Sequence, residues 1–206
     1  MCIRDRKITL EDNISEPIEL VAGVDLAFIE DLAIAACVSV SYDNLTVFEE
    51  ATAIVKLKFP YIPGFLSFRE AFGMVVAFRK LKKKPQVLMV NAHGIAHPRF
   101  CGCASHVGVV LKIPTIGIAK NKLCGEYSHE PVKVGDYVPL TYMGYVVGVV
   151  YKSKVGCKPI FISPGHMISL ETSIKIVRHF LKGYKFPEPV RLAHNLANKV
   201  RSEIQG

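Results

Sequence analysis

Three strand-patterned segments follow one another with only turn residues between them: Leu20 to Phe28, Leu32 to Ser41 and Thr46 to Leu57. Connections this short cannot hold a crossover helix, so neighbouring strands must run antiparallel. Asp43-Asn44 supplies the turn chemistry between the second and third segments. An antiparallel meander is therefore expected at the start of the fold.

The rest of the chain changes rhythm. Ser67 reads as a helix N-cap, with Glu70 as its capping-box partner, and apolar positions continue through Met74, Val75 and Phe78. The basic run from Arg79 to Lys84 suits the negative end of that helix. Gln86 to Val90 predicts a short buried strand, Cys101 to Leu111 a helix stopped before Pro114, and Thr115 to Ala119 another buried strand. Strands are expected at Tyr137–Tyr142 and Tyr145–Tyr151, joined at Met143-Gly144, with a last strand over Lys158 to Ile162. Ile168 to Leu181 and Val190 to Ile204 read as two helices separated by the Pro187-Glu-Pro189 break. A meander followed by alternating helices and strands predicts an α/β class with a mixed β-sheet flanked by α-helices. With an aspartate in its first strand, the pattern resembles the ribonuclease H-like fold.

A chain of 206 residues that is half hydrophobic has enough apolar surface for one packed domain, expected over residues 7–206. Residues 1–6 join no periodic pattern and are expected to be a non-native or truncated start. A core of that size does not need a disulfide framework, and no signal peptide is evident. Reduced cysteines and a cytoplasmic location are therefore expected. No apolar run reaches the length of a membrane span, so no membrane partner is expected. The net charge of +8 points to a polyanionic partner, with nucleic acid first. A monomer is the default expectation.

Chemistry concentrates at strand ends. Asp25 interrupts an apolar strand, where a charge costs several kcal/mol unless paired or metal-bound. Asn91 to Arg99 follows the apolar run Val87 to Val90 and holds two histidines, a glycine and a Pro-Arg pair. Ends of central strands are where α/β enzymes place their ligands. His93, His97 and His106 lack the spacing of a zinc site, and Cys101-Gly-Cys103 has no second pair to answer it. Arg99 near a helix start and Lys120 at a strand end suit phosphate binding. The loop from Phe59 to Gly64 sets aromatic and apolar residues among two prolines, as wedges that unstack bases do. A loop packing its own hydrophobes explains the same pattern. Capping alone explains Glu70, and a core or surface role alone explains His194.

Together these segments resemble the endonuclease V family. Val21-Ala-Gly-Val-Asp-Leu-Ala-Phe28 is similar to the family's first-strand motif, and Pro60-Tyr-Ile-Pro-Gly-Phe-Leu-Ser-Phe-Arg-Glu70 to its wedge loop and helix start. Gly94-Ile-Ala-His-Pro-Arg99, continuing through Gly102, Ala104-Ser-His106 and Gly108 to Pro114-Thr-Ile-Gly-Ile-Ala-Lys120, extends the match. Ile162-Ser-Pro-Gly-His166 and Pro189-Val-Arg-Leu-Ala-His194 complete it.

The resemblance implies a DNA-repair nuclease acting on inosine-containing DNA or RNA. It would cut the second phosphodiester bond 3′ to the lesion and leave 3′-hydroxyl and 5′-phosphate ends. It implies Mg²⁺ as cofactor, with Mn²⁺ able to substitute. Asp25 would be a direct ligand, and Glu70 and His194 would act through water. Lys120 would hold phosphate. Pro60, Tyr61, Ile62 and Pro63 would form the wedge. Gly64, Leu66, Gly94, Ile95, His97 and Gly102 would line or shape the lesion pocket. The chain departs from the family pattern at Asn91-Ala92, where the family has Asp-Gly, and that Asp is a central metal ligand. An amide oxygen can coordinate Mg²⁺ without the charge, so weaker metal binding and slower turnover are expected. The family's helix-forming segment before the first strand is not seen either. Two further readings stand beside the nuclease: a binding protein of the same fold that cuts poorly, and a small-molecule hydrolase using the histidine-rich loop.

Overall fold

The structure is a computed structural model that describes residues 5–60, 62 and 66–206. Eight strands form one mixed sheet in the order β3-β2-β1-β4-β5-β8-β7-β6. The meander is β1 (Leu20–Ile29), β2 (Leu32–Ser41) and β3 (Val47–Lys56), antiparallel as the short turns require. β4 (Val87–Val90) lies parallel to β1, and β5 (Thr115–Ala119) parallel to β4. This is the ribonuclease H-like arrangement expected. β6 (Tyr137–Tyr142), β7 (Tyr145–Tyr151) and β8 (Ile160–His166) extend the sheet through antiparallel pairings.

Helices cover both faces. α1 (Leu66–Lys80) and α2 (Cys103–Leu111) bury Met74, Phe78 and Val107 against Ala22, Val24 and Leu88. α3 (Leu170–His179) and α4 (Glu188–Gln205) bury Ile176, Val190 and Ala193 against Val21, Met89 and Ile116. Side chains alternate along β1, so each face of the sheet has its own core. The five cysteines among the described residues are free thiols. Among the described residues, no helix is long and apolar enough to cross a membrane.

Three local expectations need correction. Ser67 is not an N-cap: it is the second residue of α1 and is buried. Glu70 is therefore not in a capping box. β8 does not stop at Ile162 but runs through Pro164 to His166. Proline is tolerated there because β7 pairs with β8 only over Ile160 to Ile162, and the Pro164 carbonyl accepts the Ile95 N–H at 2.9 Å. Pro187-Glu-Pro189 is less of a break than expected, since α4 starts at Glu188 with Pro189 in its first turn. A first-turn proline loses no intrahelical bond.

Candidate functional site

The site begins where β1 and β4 lie side by side. Val24 is level with Val90, and the Asn91 N–H donates to the Val24 carbonyl at 3.2 Å. Asp25 and Asn91 are thus neighbours at the end of β4. The Asn91 side chain hydrogen-bonds the Asp25 carboxylate. Because an ionised carboxylate only accepts, the amide must present its N–H to Asp25. A carboxylate at position 91 would meet Asp25 as a like charge instead.

Asp25 is buried, with 6% of its surface exposed. One oxygen accepts the Leu26 N–H at 2.8 Å, and the other lies 2.7 Å from His194 Nδ1 on α4. Burial raises the Asp25 pKa, against the opposing effect of its bonds to Asn91, His194 and Leu26. Glu70 reaches the same place from α1. Burial, and then the charge of Asp25, push its pKa up to about 7. Two carboxylates that resist joint ionisation form a natural cation site.

The His194 ring is held from both sides. Asn198 Nδ2 is 2.9 Å from the His194 carbonyl oxygen, which can only accept, so this nitrogen is a donor. The same nitrogen is 3.1 Å from His194 Nε2. Nε2 is therefore the accepting nitrogen, and Nδ1 carries the hydrogen donated to Asp25.

α4 comes this close to β1 because of Gly23. A Cβ there would lie 2.1 Å from the Pro189 carbonyl carbon. Only a glycine lets the helix backbone approach the strand and bring His194 to Asp25.

Beside this centre, on the α1/α2 side, a cavity of about 200 Å³ opens between the loops after β4 and β5. Leu66, His97 and Gly102 line it. Gly94 and Ile95 are not among its lining residues and pack elsewhere. The Gly94 N–H donates to Ser163 Oγ at 2.8 Å, and a Cβ on Gly94 would lie 2.1 Å from the Pro164 oxygen. Ile95 is buried in the cluster with Val138 and Phe161. Gly64, Tyr61 and Pro63 lie outside the described residues. Pro60 and Ile62 stand just before α1, with Ile62 exposed. Lys120 is exposed at the end of β5, beyond Gly117, which is level with Val90. A larger hollow of about 480 Å³ lies at the opposite end of the sheet, between Asp12, Tyr42 and Thr172. Its Asp12 is engaged in capping α3 through Ser169 and Thr172.

Several residues here escape sequence reasoning. Ser67, Cys103, Asn121 and Lys122 also line the cavity. His93 Nε2 is 2.9 Å from the Asn121 carbonyl oxygen and ties the two loops together. Its burial lowers its pKa to about 4, so it is neutral at physiological pH. Asn198 follows His194 by one helical turn, but nothing in the sequence signals their bond.

The donor set suits a hard cation in kind: two carboxylates and an amide oxygen. It is one carboxylate short in charge. Among the described residues, no cluster of three or more histidine, cysteine or carboxylate side chains is arranged to hold a metal.

The endonuclease V family model matches residues 4–195. The endonuclease V of Nostoc punctiforme is 44% identical over 198 residues, covering 95% of this chain and 89% of that protein. The crystal structure of the Streptomyces avermitilis endonuclease V superposes with a TM-score of 0.92 at 33% identity, covering 100% of this chain and 91% of that one. The Ciona intestinalis endonuclease V was solved with a 24mer DNA containing an inosine followed by a ribo-adenosine. It superposes with a TM-score of 0.85 at 29% identity, covering 98% of this chain and 94% of that one. The chain belongs to the endonuclease V family.

Proposed function

We propose that this protein is a metal-dependent endonuclease that nicks inosine-containing nucleic acid at the second phosphodiester bond 3′ to the lesion. The observation that carries the reading is the meeting of Asp25, Glu70, Asn91 and His194 beside a cavity lined by Leu66, His97 and Gly102. Family membership and the inosine-containing DNA bound by the Ciona relative support the substrate class.

A base cannot be inspected inside a stack, and turning it out costs a few kcal/mol. Pro60, Tyr61, Ile62 and Pro63 would fill the gap it leaves. Gly64, Leu66, His97 and Gly102 would enclose the base. Lys120 would hold a phosphate beyond the sheet end. Asp25 and the Asn91 oxygen would hold Mg²⁺ or Mn²⁺ directly, with Glu70 and His194 reaching it through water. Such a cation polarises phosphate and acidifies water when bound. Glu70, beside that cation, would orient the attacking water and take its proton. The water oxygen bonds to phosphorus, the bond from phosphorus to the 3′ oxygen breaks, and that oxygen takes up a proton. The products carry a 3′-hydroxyl and a 5′-phosphate.

A second reading rests on Asn91. With two carboxylates where the family has three, the protein would recognise inosine or distorted strands and cut them poorly. Nicking of matched DNA and RNA inosine oligonucleotides in Mg²⁺ and in Mn²⁺ separates the two. Cutting by the wild type and not by Asp25→Ala supports the nuclease. A wild type silent in both metals, beside an Asn91→Asp variant that cuts, supports the binding protein. Failure of the wild type to bind or cut any inosine strand at low salt overturns both.

A further inference from the structure

The loop joining β7 to β8 and the loop leading into α4 abut: Ser153 Oγ donates to the Lys185 carbonyl at 2.6 Å. Between them, residues 152–158 and 181–191 hold Lys152, Lys154, Lys158, Lys182, Lys185 and Arg191 against one carboxylate, Glu188. Six cations against one acid make this small region the source of most of the chain's net charge of +8. Arg191 is paired with Glu188, and Lys152 donates to the Cys157 carbonyl. Lys154, Lys158, Lys182 and Lys185 make no ion pair among the described residues. Tyr184 stands in the middle, 47% exposed, with Arg191 4.2 Å and Lys154 5.9 Å from its ring centroid. Lysines without ion pairs beside an exposed aromatic ring suit a chain of phosphates and bases.

The position of this patch carries a direction. The β7–β8 loop lies at the end of the sheet where β5 stops, because Tyr151 pairs with Ile160 and the adjacent Phe161 pairs with Ala119. Arg191 precedes His194 by one turn of α4. The cavity opens on the α1/α2 side of the sheet, whereas the patch lies on the α3/α4 side. Asp25 and His194 stand between them.

We infer that the surface formed by Lys154, Lys182, Tyr184 and Lys185 binds the phosphate backbone of the nucleic-acid strand on the 3′ side of the scissile bond. The inference rests on the proposed function. A strand that leaves its lesion in the cavity must pass Asp25 and His194 before it reaches the patch. Cleavage 3′ to the lesion then makes the patch the seat of the departing 3′ segment.

The test uses fluorescence anisotropy with the full chain in EDTA, so that no strand is cut. Two single-stranded inosine oligonucleotides of equal length are compared, one with its long arm 3′ to the lesion and one with it 5′. The wild type is expected to bind the 3′-long strand about tenfold more tightly, and a combined Lys154→Ala, Lys182→Ala, Lys185→Ala variant to lose that advantage. Three lost phosphate contacts also lower the slope of log affinity against log salt by about 2 on the 3′-long strand. Unchanged affinity and slope on that strand, or equal losses on both strands, would overturn the inference. Replacing inosine by adenosine at fixed arm lengths tests the lesion reading separately. Lost lesion preference, with the triple variant still weaker than wild type on the adenosine strands, rejects the substrate and keeps a backbone site.

Discussion

The His194 ring nitrogen Nδ1 lies 2.7 Å from Asp25 Oδ2, across 169 positions of sequence. The contact exists because α4 packs backbone to backbone on β1 at Gly23. Packing and chemistry are therefore coupled at one residue that has no side chain.

Gly23→Ala should show that coupling. The new methyl group has backbone atoms of Pro189 within 2.2 Å, so α4 must shift. A loss of about 1–3 kcal/mol or more is expected from overpacking, read by urea denaturation. Nicking should fall further than stability alone explains. A variant with wild-type stability and activity would show that α4 is free to move without consequence.

Asn198 should control the tautomer of His194. Asn198→Leu removes the donor to Nε2 and leaves Asp25 as the one group holding the hydrogen on Nδ1, which weakens the preference. Imidazole ¹⁵N shifts at alkaline pH should change from a single Nδ1–H form to a mixture. Turnover should fall about tenfold, the scale of lost support behind a site residue, with KM little affected. Identical ¹⁵N shifts in variant and wild type would dismiss Asn198 as a positioning residue.

Asn91→Asp should strengthen the cation site at the expense of the metal-free fold. A third carboxylate adds charge to the donor set, and divalent-cation affinity should rise about tenfold. Without metal, the new charge repels Asp25, whose bond to the amide is lost, and stability should drop. Calorimetric titration with Mg²⁺ and Mn²⁺, beside melting in EDTA, reads both changes. Tighter metal binding without loss of metal-free stability would contradict the proposed repulsion.

Glu70 and His93 should oppose each other as pH changes. Glu70 titrates near 7 instead of its ordinary 4.5, so the native state keeps a proton that the unfolded chain has released. Its contribution is full below about pH 4.5 and is lost as pH rises through 7. His93 titrates near 4 instead of 6.5, so the unfolded chain gains a proton that the native state refuses. Its contribution is full above about pH 6.5 and is lost as pH falls through 4. Over the shared window the two slopes nearly cancel. In EDTA, Glu70→Gln should therefore become more stable relative to wild type as pH rises, and His93→Asn less stable, each by up to about 3 kcal/mol. A saturating divalent cation should abolish the Glu70 limb. Single variants whose pH profiles run parallel to wild type would remove both assignments.

Much of this fold is legible in local pattern. The meander, the β4 and β5 strands and all four helices follow from periodicity and turn residues, because short-range sterics and amphipathic spacing set them. The isolated charge of Asp25 and the motif segments mark the site and the family. The sequence also shows Asn91 where the family has Asp. Other features depend on contacts between distant segments. Ser67 and Glu70 look like a capping box, yet Ser67 already lies inside α1, and Glu70 is half-buried beside Asp25. Pro164 looks like a strand stop, yet its carbonyl accepts the Ile95 N–H of the loop after β4, and β8 continues. His93 and Asn121 bridge two loops that meet only when β4 and β5 lie side by side. The net charge is a property of composition, but its concentration around Tyr184 arises only when the β7–β8 loop and the entry to α4 are folded against each other. Composition and periodicity determined the elements and the chemistry available. Backbone approach at Gly23, burial and register decided which groups meet, because these depend on packing that no local stretch of sequence encodes.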